Sequence, residues 1–143
     1  MEMVSASKMR RAQQQVQASR PYATKLHSVL GRIGRHTDPS LHPLLQHGTS
    51  GSPCLVIIST DRGLCGGLNT NLFKAVLEQN DTKPDLKVVV VGKKAQEFAA
   101  RVGLNIVASF VGLPEKVHFN DVLPLAELVR NGFLNGEFRS VDA

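Results

Sequence analysis

The sequence predicts an α/β fold, a Rossmann-like three-layer domain around a parallel sheet, preceded by a long N-terminal coiled-coil helix. Three observations carry this. Short β-branched apolar runs alternate with amphipathic helical segments after residue 53, the pattern of a parallel sheet with right-handed crossovers. The first third of the chain has no glycine before Gly31 and keeps a heptad apolar repeat. The net charge of +5 is also confined to that third. Residues 1–50 carry seven basic residues against Glu2 and Asp38, whereas residues 51–143 carry ten of each sign. A basic arm therefore precedes a neutral globular part.

The arm is expected to be helical over residues 1–35. Counting in sevens from Met9 gives Met9, Val16, Ala23 and Leu30, with partner positions Ala12, Ser19, Leu26 and Ile33. Seven of these eight are apolar and the eighth is a serine, which makes a coiled-coil seam. Pro21 falls opposite the seam, where a lost hydrogen bond disturbs an interface least. Such a helix would be about 50 Å long and would need a partner. Residues 36–52, rich in His, Gly, Ser and Pro, read as a linker.

Residues 53–143 form the predicted α/β domain. Cys54–Ser59 suits a strand buried on both faces. Asn69–Gln79 is amphipathic and helical, Leu86–Val91 is a second buried strand, and Lys93–Val102 is a helix closed by Gly103. Asn105–Val111 makes the third strand. Asn120 is expected to cap a last helix running to Leu134, with Pro124 tolerated in its first turn. Gly136 is expected to turn into a further strand. Both ends of the chain read as cut.

Composition narrows the function classes. No stretch nears the roughly 20 apolar residues of a membrane span, and Lys8, Arg10 and Arg11 interrupt any leader-like core. The reading is a soluble, intracellular chain. Cys54 and Cys65 are expected as free thiols. The segment Ser59-Thr60-Asp61-Arg62-Gly63-Leu64-Cys65-Gly66-Gly67-Leu68-Asn69 leaves a strand and enters a helix, the place where α/β folds bind phosphate. It lacks the lysine and hydroxyl of a P-loop and the G-x-G-x-x-G spacing. Gly63, Gly66 and Gly67 read instead as a structural turn using positive φ and close backbone packing.

Cys65 reads as a small buried residue rather than an activated nucleophile. Asp61 and Arg62 are either a local surface or helix-cap pair or a partner contact. His36, His42 and His47 lie without a carboxylate or cysteine cluster, so no metal site is expected. No cofactor is expected either. The basic helix does not read as a nucleic-acid arm, because the seam runs through the same stretch that carries the charges, whereas a zipper separates the two, and interleaved aromatics are missing.

Several segments together resemble the bacterial ATP synthase γ subunit family. These are MEMVSASKMRRAQ at the start, ASRPYA at Ala18–Ala23, His42-Pro43-Leu44-Leu45, STDRGLCGGLNTNLF at Ser59–Phe73 and FNDV at Phe119–Val122, ahead of the last helix. The resemblance implies a non-catalytic rotor shaft inside a ring of α and β subunits. The α/β domain would be a foot bound by the ε subunit near the membrane c-ring, peripheral on the cytoplasmic face of the inner (plasma) membrane. It implies that Lys8, Arg10 and Arg11 face acidic loops of the β subunits, and that Arg62 is a second contact candidate. Family members are longer at both ends, so this chain is expected to be a fragment that self-associates through its helix. The other class of function open to these residues is a small nucleotide-binding α/β domain with a helical dimerisation arm.

Overall fold

A computed structural model describes residues 2–143, with Glu2 described only by its backbone; Met1, which opens the motif of the first helix, lies outside them. The chain divides into two compact units, Met1–Gln46 and His47–Ala143.

In the first unit, α1 runs unbroken over Glu2–His36, 35 residues, with Pro21 inside it. Proline there removes one bond of the ladder, and the rest of the helix continues through it. Every residue from 3 to 36 is exposed. Two short 3-10 turns follow, Pro39–Leu41 and Pro43–Leu45, each opened by a proline. Asp38 Oδ1 accepts the Ser40 N–H at 2.9 Å, and His42 Nδ1 accepts the Leu44 N–H at 3.2 Å. That backbone bond from Ser40 holds the Asp38 carboxyl below the usual carboxylate range. The predicted linker therefore contains local, side-chain-capped turns.

In the second unit, four strands pair in parallel in the order β3-β2-β1-β4. They are β1 (Ser52–Ile58), β2 (Lys87–Val91), β3 (Asn105–Phe110) and β4 (Phe138–Asp142). The helices are α2 (Leu68–Thr82), α3 (Lys93–Val102) and α4 (Phe119–Leu134). Ile57, Val88 and Val90 pack with Val76 of α2 and Ala95 and Ala99 of α3. Cys54, Val56, Val89, Val91 and Phe138 make the opposite core, against Leu125, Leu128 and Val129 of α4. The links β1-α2-β2-α3-β3 travel one way along the sheet and β3-α4-β4 travels back past β1. Crossovers of constant hand then put α4 on the other face, which gives three layers.

The edge strands keep this two-sided pattern by bulges. Val88 pairs with Ile106 but Val89 pairs with Ala108, so Val107 is an extra residue. That insertion lets Ile106 face one core while Ala108 and Phe110 face the other. A similar shift between Ser52 and Pro53 skips Arg139 and sets Val141 beside Cys54.

Three expectations for the last helix are corrected. Its N-cap is His118, not Asn120, and the Asp121 carboxylate accepts the His118 N–H at 2.7 Å. Counted from Phe119, Pro124 falls in the second turn rather than the first. Phe119–Val122 opens the helix instead of preceding it. The turn at Gly136, with φ +75°, leads into β4.

Gly132 lies buried in α4 where a Cβ would run into the ring of Phe138, itself 1% exposed. Gly132→Ala should therefore lower stability by about 1–3 kcal/mol through overpacking, despite alanine's better helix propensity. Denaturant unfolding checks this, and Phe138→Leu in the same chain should recover part of the loss. Hydrogen exchange should also protect Val56–Ile58 and Val88–Val91 far longer than Val4–Val16, since residues 3 to 36 of α1 are all exposed. Equal protection of both segments would contradict this division of stability.

Candidate functional site

The loop between β1 and α2 is organised around a helix it does not enter. The first N–H groups of an α-helix have no intrahelical acceptor. At α3 they are taken in succession: Lys93 N–H by Asp61 Oδ1 at 2.8 Å, Lys94 N–H by the Thr60 carbonyl at 3.2 Å, and Ala95 N–H by Ser59 Oγ at 2.7 Å. The carboxylate of Asp61 also lies at the positive end of the helix dipole. Between the two partners in this cap the backbones come very close. Gly92 has φ +92°, and a Cβ there would collide with the Ser59 carbonyl.

The rest of the loop is tied by side chains. Asn69 Nδ2 donates to Thr60 Oγ1 at 2.8 Å and to Cys65 Sγ at 3.3 Å, while Thr60 Oγ1 donates to the Arg62 carbonyl at 2.6 Å. Of the three predicted turn glycines only Gly66 has positive φ, +63°. None makes the close backbone approach expected: nothing would meet a Cβ at Gly63 or Gly66, and at Gly67 the first neighbour is Asn71 Nδ2 at 3.5 Å. The strained position is Leu64, a non-glycine residue at φ +61° with a fully exposed side chain. Gly66 shares the left-handed turn with Leu64.

Asp61 resolves as a cap of a remote helix, and Arg62 beside it is exposed. Cys65 is partly rather than fully buried, held by Asn69. Cys54 is the buried thiol, and burial pushes its pKa up to about 11 from an ordinary 9.0. Lys8, Arg10 and Arg11 are exposed along α1 in the first unit, and Arg62 belongs to the second. The seam residues Met9, Val16, Leu26, Leu30 and Ile33 are all exposed, as are Ala12, Ser19 and Ala23. Among the described residues no group of His, Cys, Asp and Glu is placed to hold a metal, and no helix is long and apolar enough to cross a membrane.

Sequence reasoning missed the capping roles of Ser59 and Thr60 and the close approach at Gly92. The three residues of the Ser-Thr-Asp run are good N-cap types, which is the signal available. Which helix they cap depends on strand order, because the partner is 32 to 36 residues away.

The fold and sequence have known counterparts. The chain is similar to the ATP synthase gamma chain of Herpetosiphon aurantiacus, 42% identical over 140 residues, covering 93% of this chain and 48% of that one. The gamma chain of Desulforamulus reducens is 38% identical over 141 residues, covering 99% of this chain and 50% of that one. This chain thus spans about half the length of the curated relatives it matches. In fold it is similar to a chain of the Euglena gracilis mitochondrial ATP synthase rotor, at TM-score 0.55 and 22% identity, covering 91% of this chain and 47% of that one. The family model described as ATP synthase matches residues 1–143, so with a strand-to-helix loop of this type and gamma chains as its relatives, the chain belongs to the ATP synthase family.

Proposed function

We propose that this chain is a non-catalytic part of the central-stalk γ subunit of a proton-translocating ATP synthase, in which rotation links proton flow to ATP synthesis at the β subunits. The observation that carries the reading is α1. It is a continuous 35-residue helix whose apolar seam is uncovered and whose other faces carry the chain's excess positive charge. A stripe of that length is unfavourable in water by about 25 cal/mol per Å² and calls for a partner helix. The gamma chains to which this chain is similar support the same reading.

In this proposal α1 forms part of the shaft within the α and β subunits, and Lys8, Arg10 and Arg11 face acidic surface of β. The α/β unit is the foot, with Arg62 on its exposed loop and the ε subunit and c-ring as neighbours. The complex would lie on the cytoplasmic face of the inner membrane, with this chain peripheral. The division of residues follows: 1–35 shaft helix, 36–52 linker, 53–143 α/β domain.

The competing reading is a nucleotide-binding domain with a dimerisation arm, its phosphates held at Gly63 to Gly67 ahead of α2. Ser59, Thr60 and Asp61, at the start of that loop, serve instead as acceptors for the first N–H groups of α3. The glycine loop also lacks the lysine that holds phosphates elsewhere.

Calorimetric titration with Mg-ATP should accordingly give no stoichiometric binding, and micromolar binding at the loop would overturn the reading. Asp61→Ala should lower stability by about 0.5–2 kcal/mol by removing a cap, with Mg-ATP still not bound. For α1, the expected outcome is self-association of this chain as an antiparallel pair. Small Ala12 and Ser19 of one copy would then lie against Leu26, Leu30 and Ile33 of the other. Sedimentation should show a dimer that Leu26→Glu with Leu30→Glu dissociates. Two monomers of equal helicity would refute the seam.

A further inference from the structure

A recess of about 290 Å³ opens at the carboxyl ends of β1, β2 and β3. Its apolar walls are Ile58, Val91, Phe110, Leu113 and Pro114, and its polar lining comes from Ser59, Asp61, Glu115 and the Gly92 backbone. Crevices at this end of a parallel sheet are where such folds bind ligands. Nothing in the proposed role of the chain uses it.

The chemistry of the lining is one-sided. Both ionisable residues facing the recess are carboxylates, and no lysine or arginine lines it. Asp61 is fixed there by its bond to the Lys93 N–H, which spends the helix donor that would otherwise attract an anion. The recess is therefore built to accept positive charge over an apolar floor. Its volume lies at the low end for small-molecule pockets, which run from about 300 to 1,000 Å³, and matches one or two side chains. Ile58 ends a central strand yet is 61% exposed, so one wall is left for an incoming chain to cover.

We propose that this recess is a docking pocket for a polypeptide partner that inserts an apolar side chain flanked by Lys or Arg. The apolar anchor fills the space between Ile58, Val91, Phe110 and Leu113, and the flanking cations meet Asp61 and Glu115. Burial of the anchor supplies affinity, and the carboxylates select the sign of the charge beside it.

The test is titration of the ¹⁵N-labelled full chain, following the Ser59, Gly92 and Glu115 amide resonances. The probes are acetylated, amidated tripeptides Arg-Phe-Arg, Glu-Phe-Glu and Arg-Gly-Arg, together with phenethylamine. Arg-Phe-Arg should move those resonances saturably, and the other two peptides should bind at least about tenfold more weakly, each having lost the charge or the anchor. Ile58→Lys should abolish the shifts, and Glu115→Gln should weaken them severalfold while leaving the Val88 and Val90 resonances in place. Should Ile58→Lys disturb the fold, Glu115→Gln decides alone. No movement with Arg-Phe-Arg, or equal movement with Glu-Phe-Glu or Arg-Gly-Arg, overturns the proposal. Phenethylamine binding as tightly as Arg-Phe-Arg overturns the polypeptide assignment in favour of a small amine. Failure here leaves the stalk reading intact, since that rests on α1 and not on the recess.

Discussion

Three backbone N–H groups at the start of α3 need acceptors, and the way they find them sets much of the α/β unit. Left buried and unpaired, each would be destabilising by about 1–3 kcal/mol. Ser59, Thr60 and Asp61 supply the acceptors directly after β1 ends. That contact requires the two backbones to touch, so Gly92 occupies a position no Cβ fits. It also fixes where the following residues must turn. Thr60, Asn69 and Cys65 then close the loop on itself, leaving Leu64 and Arg62 outside. The start of a glycine-rich loop is in this way given over to capping the neighbouring helix α3.

Sheet packing shows the same dependence on single residues. Two cores need strict alternation along each strand, and the central strands β1 and β2 meet it with Leu55, Ile57, Val88 and Val90 on one side and Cys54, Val56, Val89 and Val91 on the other. The edge strands meet it only by inserting Val107 and Arg139. Phe138 then reaches α4 because Gly132 gives way, and Phe73 of α2 stacks on Phe98 of α3 with centroids 4.2 Å apart. Cys54 sits deep in this packing, and its neutral thiol contributes stability below about 9.0 that declines as pH rises toward 11.

The two units obey different physics. The α/β unit builds two apolar cores of its own, with surface charges in local pairs such as Lys94 with Glu97 at 2.8 Å, Lys83 with Asp142 at 3.4 Å and Arg139 with Asp85 at 3.7 Å. In α1 the apolar residues are exposed, because a lone helix can bury a seam only against something else.

The sequence by itself determined the α/β class, the order of its elements and the long basic helix. Local periodicity and β-branched runs report directly which faces a segment must bury. It located the loop of interest as well, through the Ser-Thr-Asp run and the glycines around Leu64. What it did not decide were the roles of particular side chains in loops and caps. His118 rather than Asn120 caps α4, Cys65 stays partly exposed, and Ser59 and Asp61 cap α3 instead of the helix their loop enters. The capping of α3 depends on which strands lie side by side, and strand order is a property of the assembled sheet, with no signature in the spacing of residues along the chain.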